Sequence, residues 1–176
     1  IVIKEDDKKA IELSKARGLS VVENDKEVIS VKYNSAEGTS EVVTMDKTTG
    51  KKKTALKAKG VVAYSDDEKE AVKLTAGDEL TGEKPKIVVK DGDEEVLEVS
   101  KEKGLTLKKD NVEVFSAKYD TAKGEATLAT KDKVTGKKTV EFAGIEGVKV
   151  YDEEEKEAVT LSPGKKATGE KPSIVI

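Results

Sequence analysis

The sequence predicts an all-β protein made of two tandem, small antiparallel β-sandwich modules. Three observations carry that expectation. The chain repeats itself with a period of about 87 residues: Ile1 falls on Ile87, Gly18 on Gly104, Tyr33 on Tyr119 and Gly50 on Gly136, and further along Gly60 falls on Gly147, Tyr64 on Tyr151 and Pro85 on Pro172. Within each copy apolar residues recur with period two, the pattern of strands with one buried face. Gly, Pro and charged clusters break these runs at short intervals, so that several strands fit in each copy. The expected modules are residues 1–86 and 87–176, with 174–176 either the start of a third repeat or a closing strand.

The elements follow in chain order. The apolar triplet Ile1-Val2-Ile3 returns as Ile87-Val88-Val89 and as Ile174-Val175-Ile176. If it opens a module, the last copy is a stub; if it closes one, the first copy is a strand that could be donated to a neighbouring molecule. Residues 7–17 could form a short helix ended by Gly18, because Ala10, Ile11 and Ser14 lie near one helical face. Their counterparts in 93–103 carry Val96, Leu97 and Val99, and β-branched residues at that spacing favour a strand. Ile29, Val31 and Tyr33 alternate with Ser30 and Lys32, as Phe115, Ala117 and Tyr119 do with Ser116 and Lys118. Strands are expected next at 41–45 and 126–130. They lead into hairpin turns at 46–51 and 132–137, where Gly50 and Gly136 supply positive φ.

Further strands are expected at 53–58, 60–64 and 71–74, and at 139–143, 147–151 and 158–161. One residue is inserted in the second copy near Gly144, where a loop absorbs it most easily. Ser162-Pro163-Gly164 suits a type II turn. Thr81-Gly82-Glu83-Lys84-Pro85 and its copy ending at Pro172 read as short, semi-rigid linkers, because Pro holds the residue before it extended.

Composition narrows function by exclusion. The chain of 176 residues is 39% charged with a formal net charge of −3, and acids and lysines are interspersed throughout. No one-signed field attracts a polyanion, Arg17 is the only arginine, and aromatic residues make up 3%. Nucleic-acid binding is therefore not expected. Cysteine and histidine are both absent, which removes disulfides, thiol nucleophiles, His-based triads and the common zinc and haem sites. No apolar run reaches the length of a membrane-spanning helix, and membrane insertion is not expected. Catalysis is not expected either.

Two acidic clusters recur. Ser65-Asp66-Asp67-Glu68 matches Asp152-Glu153-Glu154-Glu155, and Glu5 with Asp7 matches Asp91, Asp93 and Glu95. Calcium takes six to eight oxygen ligands, so Asp66, Asp67, Asp152 and Glu153 are candidate calcium ligands, against a reading as solvated turns that keep a sheet edge soluble. The lysine runs after Gly50 and Gly136 lack the upstream glycine of a phosphate loop. An isopeptide crosslink would draw on Asn24, Asn34 or Asn111, and none of these is Asn in both copies.

In its lysine- and glutamate-rich, cysteine-free and aromatic-poor texture, and in the length of its repeat with Gly-Glu-Lys-Pro junctions at 82–85 and 169–172, the chain resembles the bacterial Ig-like tandem repeats of surface-layer proteins and cell-wall-attached stalks. The resemblance implies Ig-like sandwich modules at the cell surface with a structural, extracellular role, often with calcium assisting order. It implies self-association or contact with neighbouring modules of the same protein, and no catalytic residue. The alternative from another class is an adhesion module that holds carbohydrate or protein at its inter-strand loops.

Overall fold

The structure, a computed structural model, describes residues 1–15, 18–36, 38–144, 146–164 and 169–176. Two compact units divide the chain, Ile1–Asp93 and Glu94–Ile176. The described residues form strands and turns and no helix, hence none long and apolar enough to cross a membrane.

The first unit holds β1 (Val2–Glu5), β2 (Lys8–Ser14), β3 (Gly18–Glu23), β4 (Lys26–Asn34), β5 (Thr39–Met45), β6 (Lys52–Lys57), β7 (Gly60–Tyr64), β8 (Glu70–Thr75) and β9 (Lys86–Asp91). Each pairs antiparallel with the next in chain order. The second unit holds β10 (Glu94–Ser100), β11 (Gly104–Lys109), β12 (Val112–Asp120), β13 (Glu125–Lys131), β14 (Lys138–Ala143), β15 (Gly147–Tyr151), β16 (Glu157–Ser162) and β17 (Ser173–Val175). They run in the same up-and-down order.

Turn chemistry explains the meander. Asp6-Asp7, Asn24-Asp25 and Asp110-Asn111 each hold two consecutive residues at positive φ, the geometry of the two-residue hairpin whose twist matches that of its strands. Asn and Asp tolerate this conformation, so Asn24 and Asn111 serve as turn formers. After β5 and β13, Gly50 and Gly136 take φ values of 75° and 72° and donate their N–H groups to the carbonyls of Asp46 and Asp132 at 2.7 and 2.8 Å. The predicted hairpins are there. The ambiguous segment after Asp7 is strand β2, and the inserted residue falls in the loop between β14 and β15 that includes Gly144. Gly164 takes positive φ as the expected turn requires, and its N–H donates to Ser162 Oγ at 3.3 Å, while the residue after Gly164 lies outside the described residues.

Three expectations change. Strands β3 and β11 are absent from the sequence reading, where Gly18 figures as the end of the preceding segment; here Gly18 and Gly104 begin strands. A Cβ on either would stand 2.1 Å from a carbonyl oxygen of the neighbouring strand, of Val31 or Ala117, so glycine allows this close approach. The Gly-Glu-Lys-Pro segment of 82–85 joins no modules. It closes the hairpin between β8 and β9 inside the first unit, where Leu74 lies opposite Ile87, and Leu161 lies opposite Ile174 in the same way.

The two-sheet sandwich is the third. All-β and antiparallel is correct, but among the described residues of each unit strands pair with chain neighbours only, and both surfaces of the sheet are partly open. Registration assigns side chains to faces, since directly opposed residues share a face and alternate along each strand. One face of the first unit carries the row Leu13, Leu19, Val31, Val42, Leu56, Val61, Leu74, Ile87 beside the row Ile11, Val21, Ile29, Thr44, Thr54, Ala63, Val72, Val89. These apolar residues remain intermediate or exposed.

The opposite face buries a line of small side chains: Ser20, Ser30, Val43, Ala55 and Val62 are all 3% exposed or less. Long charged side chains flank this line and pair across strands, Lys57 with Glu41 at 4.0 Å and Lys90 with Glu70 at 3.8 Å. Their aliphatic stems cover small neighbours while their heads stay in water. The core is thus a line on the charged face.

Candidate functional site

The calcium candidates sit at the turns between β7 and β8 and between β15 and β16, beside the hairpins that follow β5 and β13. Asp46 Oδ1 accepts the N–H groups of Thr48 and Thr49 and the Thr49 hydroxyl, and Asp132 does the same with Val134 and Thr135. The Thr49 and Thr135 donors hold both carboxyls below the usual range. Lys51 Nζ then donates to the Asp66 carbonyl at 2.7 Å, and Lys137 Nζ to the Glu153 carbonyl at 2.7 Å. The Lys52 and Lys138 N–H groups donate to Glu68 and Glu155, and their ammonium groups lie 5.9 and 5.7 Å from the ring centres of Tyr64 and Tyr151. Each unit therefore repeats these contacts of one corner.

Within that corner the candidate carboxylates face donors of the protein itself. Asp66 pairs with Lys53 at 2.5 Å, and this hydrogen bond and charge lower its pKa. Asp67 accepts the Ser65 hydroxyl, which lowers its pKa in turn. Asp152 Oδ1 accepts the N–H groups of Lys156 and Glu154 at 2.9 and 2.8 Å, and the Lys156 N–H leads in holding it low. The Glu153 backbone carbonyl is taken by Lys137. Among the described residues, no group of three or more Asp or Glu comes together as a metal site would need. In the other acidic cluster Asp7 forms a turn and Asp93 pairs with Lys69 at 2.7 Å.

Two features escaped the sequence reading. The first is an open cleft of about 840 Å³ in the first unit, bordered by Lys15, Lys32, Tyr33, Asn34, Lys57 and Lys59. Its parts come from the ends of four strands and their turns, so no contiguous motif announces it. Tyr33 is 68% exposed there. The second is the pair of apolar rows, which period two located on one face without saying that the face is open.

No protein-family model matches the chain, and neither a curated protein nor a solved structure matches it.

Proposed function

We propose that this chain is a structural extracellular module of a bacterial surface layer, stalk or filament, acting by lateral or end-to-end self-assembly. One observation carries the reading: β2–β9 of the first unit and β10–β17 of the second repeat the same meander, with matching register shifts at three places. Register shifts fall after Val21, Thr44 and Ala63 in the first unit and after the matching Leu107, Thr130 and Val150 in the second. Repeated units of this kind suit extension and arrays, since each presents its neighbours with the same surface. The layered sandwich that the sequence suggests is, on this reading, a property of assembled chains. The test is light scattering and negative-stain imaging of the purified chain over a concentration series, with and without calcium. Regular sheets or filaments are expected, and a chain that stays monomeric at the highest concentration refutes the role.

A second reading draws on the cleft. Its volume lies within the range of small-molecule sites, and an exposed Tyr33 among lysines offers a stacking platform with charged donors, as an adhesion module holding carbohydrate would need. Glycan-array binding that is lost in Tyr33→Ala would favour it over the assembly role.

A further inference from the structure

The apolar rows of the first unit contain no charged residue, and they span its strands from β2 to β9. Leu13, Leu19, Leu56, Val61, Leu74 and Ile87 are between 38% and 55% exposed. The second unit carries the same surface, with Leu128, Phe142, Val150 and Leu161 between 38% and 50% exposed. Half-exposed side chains in this number are unusual for a soluble surface, where contiguous apolar patches rarely exceed a few hundred Å².

We infer that this face is an interface between two copies of the chain, packed sheet on sheet so that the sandwich is completed between molecules. The inference deepens the assembly role and rests on it. Area supports a second copy as the occupant: the first unit's rows present on the order of 600 Å² of apolar surface, close to the roughly 800 Å² per partner that a stable complex buries. Shape supports it too. The leucine row is bulky along most of its length, while the neighbouring row dips at Thr44, Thr54 and Ala63.

A two-fold axis along the hydrogen-bonding direction, midway between the rows, lays the leucine row of each copy over the threonine-centred row of the other. Bulk then meets depth twice, in an isologous contact. Two antiparallel faces pack this way at about 10 Å with mean strand directions within about 30° of each other.

Sedimentation equilibrium from about 1 to about 200 µM tests the inference. The wild-type chain is expected at least to double its mass with concentration, the face-to-face pair being the first step of assembly. Leu56→Glu with Leu74→Glu should weaken association by at least about tenfold while far-UV circular dichroism stays unchanged. Lys32→Ser with Lys57→Ser makes the same change in charge on the opposite face and should leave association intact. Association of the leucine variant as tight as wild type overturns the face and leaves the assembly role standing; a wild-type chain that stays monomeric, or that instead binds zwitterionic vesicles, overturns both.

Should the leucine variant fail to fold, single cysteines replace it, since the chain has none. Oxidising a mixture of Leu56→Cys and Thr54→Cys chains should give mainly the mixed dimer. Absence of crosslinks, or crosslinks at random, overturns the proposed packing.

Discussion

One difference between the two units lies on the charged face. In the first, β6 and β7 meet through Ala55 and Val62, 0% and 3% exposed. In the second the same register partners are Glu141 and Lys149. Glu141 pairs with Lys138, and Lys149 sits between Glu157 at 2.8 Å and Glu146 at 3.2 Å. These hydrogen bonds raise the pKa of Lys149 and, through Glu141, that of Lys138, while burial followed by the Glu141 charge pushes the Tyr151 hydroxyl up. One ladder thus accepts either an apolar plug or an ionic one. In a single layer the backbone pairing sets the geometry, and each cross-strand pair contributes only locally, typically a few tenths to 1 kcal/mol.

The largest expected effect tests what both units share. Gly18→Ala and Gly104→Ala place a Cβ against a carbonyl at positive φ, and each should cost about 3 kcal/mol or more in urea unfolding. A loss below about 1 kcal/mol in one of them would show that the two ladders are not equivalent.

Next, the plugs can be exchanged. Ala55→Glu alone should destabilise the first unit by about 2 kcal/mol, because a fully buried position receives a charge. Adding Val62→Lys should return about 0.5–1 kcal/mol, and a double-mutant cycle with no coupling would sink the idea that the ionic plug works as a unit.

A smaller gain is expected at Thr106, which is 0% exposed with a hydroxyl that has no hydrogen-bond partner. Thr106→Val removes that stranded group at nearly constant volume and should stabilise by about 1 kcal/mol, read as a raised Tm. The smallest effect near neutrality is that of pH. Donors hold Asp46, Asp132 and Asp152 below their unfolded value of 3.8. Glu98 and Glu113, raised by burial but lowered further by Lys103 and Lys131, lie below 4.5. A depressed carboxyl stabilises fully above its unfolded pKa, and this is lost as pH falls through the folded value.

Lys103, Lys138 and Lys149 lie above 10.5, so their contribution is present below that value and is lost as pH rises through the folded pKa. Tm should therefore be flat from about pH 5 to about pH 9 and fall outside. A step within that window would contradict these assignments.

Much of the strand pattern was legible. The alternation around Ile29 and Phe115, the hairpins at Gly50 and Gly136 and the inserted residue near Gly144 are local, set by side-chain period and turn chemistry. The acidic candidates were legible as a repeated cluster, but not their partners. Lys53 reaches Asp66 and Lys51 reaches its carbonyl only because a hairpin brings residues 13 and 15 positions apart together. Gly18 misled for a related reason: a glycine after a polar segment marks a stop as readily as a strand that must approach its neighbour closely.

By itself the sequence determined the repeat, the strand period, the turns and the single-sided distribution of apolar residues, because each depends on neighbours within a few positions. Only the tertiary structure decided that the Gly-Glu-Lys-Pro segment closes a hairpin, that the second and third copies of the apolar triplet pair with the strand before them, and that the strands lie in one layer within each unit. Period two says that one face is apolar. What meets that face depends on the fold of the whole unit, and here the chain itself leaves it half open.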